Sequence, residues 1–219
     1  MNILITAGPT REPIDPVRYL SNRSSGKMGY ALAEAALNRN HYVTLISGPV
    51  SLPAPSGAHL IQVETARQMF DAVSTTITHC DIAIFAAAVA DYRPVTSSSQ
   101  KLKKHPSSLS LHLEPTEDIL GSARSQFKFS GYLVGFAAET ENLVALAQSK
   151  LTRKKCDLII ANDVSQPGIG FDSPENAVTL CFPNGEIHPL PKQSKQTLAA
   201  VLFDTILARA TPLPPTPHA

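Results

Sequence analysis

Asn22, in the stretch RYLSNRSSGKMG (residues 18–29), is the side chain best suited to acyl chemistry. Its amide N–H₂ can hold a carbonyl oxygen that gains charge as an amine attacks. The ordinary role of such an Asn is a turn. Arg18, earlier in the same stretch, offers a fork that grips an anion through two parallel hydrogen bonds; its ordinary role is a surface charge. Ser24, Ser25, Gly26 and Gly29 are small residues at the point where a strong helix former must begin. Free backbone N–H groups and the positive end of a helix dipole favour an anion there. Gly26 and Gly29 let a phosphate approach the backbone, Lys27 adds a mobile charge, and the two serines offer hydroxyls for capping or for phosphate. Neither the dinucleotide fingerprint nor the Walker loop is present. Ser21 stands where the first Walker glycine belongs, and Met28 follows Gly26-Lys27. The bare pattern also suits an ordinary strand-to-helix loop.

Further candidates lie downstream. Lys150 and Lys154 are spaced i, i+4 near the end of a helical stretch, so they share a face. A helix C-terminus attracts lysines by its dipole alone. Lys101 opens the charge run KLKK in a polar loop, a pattern that is ordinarily solvated. Asp91, inside AAAVAD, follows a buried strand and reads without further information as a cap or turn residue. Phe136, in GFAAET, packs either on a base or ribose or on the core.

The elements that must position these groups alternate between strand and helix. Ile3–Thr6, His41–Ser47, Asp81–Phe85, Tyr132–Ala137 and Asp157–Ala161 read as strands, and the alternating Leu109–Glu114 as another. Helices are expected from Gly26 to about Asn40, from Thr65 to Thr78 with Met69, Phe70, Val73 and Ile77 on one face, and from Thr140, as N-cap, to about Arg153. Pro183-Asn184-Gly185 joins Val178–Phe182 to Glu186–Leu190 as a hairpin. A last helix, Lys192–Ala210, has the apolar stripe Leu198, Val201, Leu202 and Ile206. Such alternation implies right-handed crossovers. The expected fold is α/β, Rossmann-like and three-layered, with a mostly parallel sheet and a C-terminal hairpin. Ligands of such sheets bind at the carboxyl ends of the strands. Val50–Gly57 is loop, and Val95–Ser108 is a long polar loop of the functional or mobile kind. Residues 1–210 read as one domain, and 211–219, with four prolines, as a disordered tail.

Composition narrows the function classes. The 219 residues are 43% apolar and carry a net charge of +1. A nucleic-acid groove or membrane-binding surface usually needs a basic excess, so neither partner is expected. Cys80, Cys156 and Cys181 are an odd number, widely spaced and without C-x-x-C, which suggests neither disulfides nor zinc. No run approaches the roughly 20 apolar residues of a transmembrane helix, and no secretory leader is visible. A cytoplasmic protein is expected.

Five motifs in order carry a resemblance: ITAGPTREPIDPVRYLSNRSSGKMG, AAAVADYR (86–93), KLKK (101–104), GFAAET (135–140) and ANDV (161–164). Together they resemble phosphopantothenoylcysteine synthetase of the bacterial type, the ligase step of coenzyme A biosynthesis. The resemblance implies that 4′-phosphopantothenate and L-cysteine are joined through an acyl-nucleotide, with CTP preferred over ATP and Mg²⁺ neutralising the triphosphate. The phosphate cradle would be Gly8, Thr10 and Ser24 to Gly29, with Lys27 and Met28 inside it. Nucleotide contacts would fall at Ala87, Asp91, Phe136, Lys150 and Lys154. The stretch Glu117-Asp118-Ile119-Leu120 would read the base through its backbone, with contacts at Asp118 and Ile119, although Glu117 stands where the family has Pro. Lys101 would serve formation of the intermediate. Arg18, Asn22 and Ala87 or Ala88 would serve its conversion to product, the alanines through close backbone approach. A homodimer is implied, with a segment of one subunit covering its partner's site. The chain starts at the synthetase motif, without the flavin-dependent decarboxylase to which bacterial forms are often fused. The alternatives are an NAD(P)- or flavin-binding oxidoreductase and a non-catalytic nucleotide-sensing module.

Overall fold

The computed structural model describes residues 1–104, 108–165, 170 and 173–210. Ile3, Leu4 and Ile5 form an apolar run without alternation, as a strand covered on both faces requires. They lie in β1 (Asn2–Ala7), where all but the first residue are buried. The same reasoning holds for β6 (Ile82–Phe85), β9 (Tyr132–Glu139) and β10 (Leu158–Asp163). With β4 (Tyr42–Ser47) and β5 (His59–Gln62) they make six parallel strands. The hairpin of β11 (Glu175–Cys181) and β12 (Ile187–Ser194) adds two antiparallel strands. The sheet order is β12-β11-β10-β9-β6-β1-β4-β5. Its parallel part is the doubly wound Rossmann order, whose crevice opens between the carboxyl ends of β1 and β6.

Helices α1 (Lys27–Leu37) and α5 (Lys195–Ala210) cover one face. The other is covered by α2 (Ala66–Thr76), α3 (Ile119–Ser125) and α4 (Leu143–Lys154). Alternation within strands divides the core: Ile3, Ile5, Ile84 and Ile160 face α1 and α5, while Leu4, Ala83, Leu133 and Ile159 face the other layer. Thr65 caps α2 through a full capping box with Gln68. The three-layer α/β fold and its terminal hairpin are as the sequence implies.

Several local expectations need correction. The loop after β1 contains a hairpin, β2 (Glu12–Asp15) with β3 (Arg18–Leu20). Strand β5 and helix α3 went unread because both are short. Leu109–Glu114 pairs only at its end, as β8 (Leu113–Pro115) against β7 (Tyr92–Pro94). Thr140 is not the cap of α4; Asn142, in the left-handed region at φ 49°, starts that helix. Helix α1 stops before Asn40, which takes a φ of 60°. On α5 Val201 is exposed, and the fully buried Phe203 fills the core instead. The expected tail, residues 211–219, lies outside the described residues, as do 105–107 of the polar loop.

The three cysteines are free thiols. Burial pushes Cys80 up to about 11 and Cys156 up to about 12, so neither is a ready thiolate. No described helix is long and apolar enough to cross a membrane.

Gly48 ends β4, and a Cβ there would stand 1.7 Å from the Pro9 carbonyl oxygen. Backbone cannot yield as a side-chain tip does. Gly48→Ala is therefore expected to lower the unfolding free energy by about 1–3 kcal/mol, read by urea unfolding followed with far-UV circular dichroism.

Candidate functional site

The loops leaving β1 and β6 are joined at the crevice. Ala88 N–H donates to the Gly8 carbonyl (2.9 Å), and Thr10 N–H donates to the Ala88 carbonyl (3.2 Å). Ala90 N–H donates to Thr10 Oγ1 (2.9 Å), and Ala87 N–H to Thr6 Oγ1 (3.2 Å). Asn22 Nδ2 also donates to the Ala88 carbonyl, while its Oδ1 accepts from Ser24 N–H (3.0 Å). Asn22 thus combines the turn its residue type predicts with a grip on the second loop. One amide hydrogen of Asn22 is left over by these bonds.

This junction opens into a cavity of about 720 Å³ at the carboxyl end of the sheet. Its floor includes Asn22, Ser24, Ser25 and the first turn of α1 from Gly26 to Gly29. Gly26 is the N-cap, at φ 76°, with no side-chain cap. Ser24 Oγ accepts from Gly26 N–H at 3.4 Å. An uncapped helix start lining a cavity suits an anion. A Cβ at Gly26 would lie 2.8 Å from Val50 Cγ1, and one at Gly29 would lie 2.6 Å from Ala7 Cβ. Gly29 therefore lets α1 press against β1, and Gly26 lets its start lie against Val50.

The opposite wall comes from α3 and α4. Lys150, Arg153 and Lys154 line the cavity from the last turns of α4. Lys150 Nζ donates to the Phe136 carbonyl at 2.8 Å. Burial pushes its ammonium below the usual lysine range, despite nearby Glu139 and Asp91. Lys154 pairs with Asp118, the N-cap of α3, whose Oδ1 also accepts from Gly121 N–H at 3.0 Å. Burial opposes ionisation of Asp118, but Lys154 and the Gly121 amide outweigh it and hold the carboxyl below its usual range. Glu117, next to it, is held by Arg93 (3.1 Å) and Arg67 (3.4 Å), which explains why a charged residue is accommodated there. Asp91 also lines the cavity, and its carboxylate makes no hydrogen bond or ion pair among the described residues.

Of the residues singled out in the sequence, Asn22, Ser24, Gly26, Lys27, Met28, Gly29, Ala87, Ala88, Asp91, Asp118, Ile119, Phe136, Lys150 and Lys154 line this one cavity. Four do not. Gly8 and the fully buried Thr10 stitch the two loops together from behind. Arg18 sits outside, its guanidinium on Asp15 (3.0 and 2.5 Å) and on the Leu102 carbonyl (2.7 Å). Lys101 is exposed beside it. The Arg18 guanidinium holds the Asp15 carboxyl far below the usual carboxylate range.

Sequence reasoning missed Arg153, Asn176 and Lys195, which also line the cavity. Lys195 is 4% exposed and donates to the Gly170 carbonyl at 2.7 Å. One signal was legible: a lysine in the first turn of a helix opposes the dipole, and such a conflict marks a placed charge.

Comparison with known proteins identifies the family and the fold. Residues 1–210 match the family model of the DNA/pantothenate metabolism flavoprotein C-terminal domain. The chain belongs to this family. The coenzyme A biosynthesis bifunctional protein CoaBC of Vibrio vulnificus strain YJ016 is 50% identical over 207 residues, 94% of this chain and 51% of that protein. CoaBC of Escherichia coli K12 is 47% identical over 212 residues, covering 95% and 52%. The chain therefore spans about half the length of these relatives. The crystal structure of a CoaBC C-terminal domain is 41% identical, with a TM-score of 0.80 over 95% of this chain and 94% of that one. The resemblance drawn from the five sequence motifs is borne out at the level of the family. Within the family's fold, the described residues hold no group of three or more His, Cys, Asp or Glu arranged for a metal ion.

Lys154 is the cation that does most to hold the Asp118 carboxyl below its usual range. In Lys154→Met the Asp118 carboxyl is expected to titrate at higher pH than in the parent, because burial is then opposed by the Gly121 amide and the more distant Arg153 alone. A carbon-detected NMR titration of Asp118 checks the direction.

Proposed function

We propose that the chain is a phosphopantothenate–cysteine ligase, one Rossmann-like domain over residues 1–210, acting in the cytoplasm as a homodimer. The observation that carries this reading is the single cavity that joins an uncapped helix start to three cations of α4. Membership of the family and the coenzyme A biosynthesis named in its relatives support it.

The reaction follows from the parts. CTP lies along the cavity, its triphosphate between the α1 turn and Lys150, its base toward Asp118 and Ile119. The 4′-phosphopantothenate carboxylate attacks the α-phosphorus, the bond to the bridging oxygen breaks, and pyrophosphate leaves. Lys101 closes onto the phosphates at this step, which also keeps water from the anhydride. The cysteine amine then attacks the acyl carbon, the bond to the phosphate oxygen breaks, CMP leaves, and the amine proton is lost. Asn22 Nδ2 steadies the charge on the acyl oxygen, and the Ala87 and Ala88 backbone lets the acyl group lie close. Arg18 holds an anionic part of the substrate. Mg²⁺ would be held by the carboxylate of Asp91, which lines the cavity. When bound it neutralises the phosphate charge. Preference for CTP over ATP and the homodimer follow from the likeness to bacterial forms.

Pyrophosphate release is expected only with 4′-phosphopantothenate present, and faster with CTP than with ATP. Asn22→Ala is expected to slow the cysteine step by roughly 10²–10³-fold, the cost of one lost donor, so that the acyl-cytidylate accumulates in mass spectra. Lys101→Ala is expected to stop it forming. Full turnover by both variants would reject the role assignments, and tight binding of FMN or NADH would favour a redox protein instead.

A further inference from the structure

The segment that carries Lys101 has no regular structure of its own, yet it is tied to the β2–β3 hairpin. Ser98 N–H donates to the Ile14 carbonyl at 2.9 Å, and Leu102 N–H donates to Asp15 Oδ2 at 3.1 Å. The Leu102 amide belongs to the peptide unit that follows Lys101. The Leu102 carbonyl in turn accepts from Arg18 Nη2 at 2.7 Å. Asp15 is the hub of this contact. Its side chain is shut off from solvent, with 0% exposure. Oδ1 accepts the Val17 and Arg18 amides, both at 2.9 Å, and so makes the hairpin turn. Oδ2 takes the Arg18 fork and the Leu102 amide.

Those two oxygens do separate jobs. A turn needs only Oδ1, and an Asn would serve it equally well. Oδ2 faces three donors, two on the guanidinium and one on the strap, and only a carboxylate can satisfy them. An Asn would turn N–H groups toward other N–H groups. The charge is thus required by the contact between hairpin and strap rather than by the turn.

We propose that Asp15 is a positioning residue for the ligation, holding the Lys101–Leu102 peptide and the Arg18 guanidinium as one unit. The two cations then approach the cavity together rather than independently. This rests on the roles assigned above to Lys101 and Arg18.

The test uses the whole chain with Asp15→Asn, Leu102→Pro and Lys101→Ala. Single-turnover pyrophosphate release from CTP and 4′-phosphopantothenate is followed beside amide hydrogen exchange. Asp15→Asn is expected to slow release by about a hundredfold, the cost of a misplaced group, with the KM for CTP little changed. Its Leu102 amide exchanges faster, while amides of β1, β6 and β9 keep their protection. Leu102→Pro removes the strap's donor without touching the hairpin turn, and is expected to reproduce the loss. A fast Leu102→Pro or unchanged Leu102 exchange overturns the inference. If Lys101→Ala alone releases pyrophosphate normally, the assignment of Lys101 fails instead, and the exchange data still report whether the tie exists.

Discussion

The backbone of one residue, Ala88, constrains the carboxyl edge of the sheet between β1 and β6. Its N–H goes to the loop after β1 and its carbonyl receives both that loop and the Asn22 side chain. Two connections far apart in sequence, the one after β1 and the one after β6, therefore meet at one point. A parallel sheet leaves its crossover loops without ladder partners, and buried backbone groups must find them elsewhere. Here they find each other. The consequence is that the floor of the cavity is fixed by backbone bonds, which a rigid scaffold needs if reacting groups are to stay aligned.

The electrostatics are local rather than global. A net charge of +1 gives the molecule no long-range pull on an anion. The positive character of the cavity comes instead from one helix end, where Lys150, Arg153 and Lys154 cluster, and from the start of another. Each buried cation already has an oxygen partner, Phe136 for Lys150 and Asp118 for Lys154. These partners offset the cost of burial, since an unpaired buried charge is expensive. They are single bonds, and a polyphosphate with many oxygens can replace or share them. Burial that disfavours the Lys150 charge alone makes the same charge more effective once an anion lies against it.

The β2–β3 hairpin adds a second layer of organisation. It projects Arg18 away from the cavity floor that Asn22 helps to build, although the two residues are close in sequence. The hairpin instead gathers the Lys101 strap through Asp15. The site thus has a rigid part, made by the sheet and its loops, and a tied but irregular part outside it. Only the rigid part carries residues that line the cavity.

Much of this was readable from residue patterns. Apolar runs of β-branched residues mark the central strands, and the spacing of Met69, Val73 and Ile77 marks α2, because burial on both faces or on one stripe leaves a period. The small residues before Tyr30 mark an anion-suited helix start for local steric reasons. Short or half-exposed elements, β5 and α3 among them, leave no such period and were invisible. So was the pairing of Asn22 with Ala88, or of Asp15 with Leu102, because a hydrogen bond between distant segments has no local signature. Residue type settled which groups are able to bind phosphate or steady an oxyanion. Their convergence on one cavity, and the exclusion of Arg18 and Lys101 from its lining, came from the crossover topology, which alone brings the strand ends together.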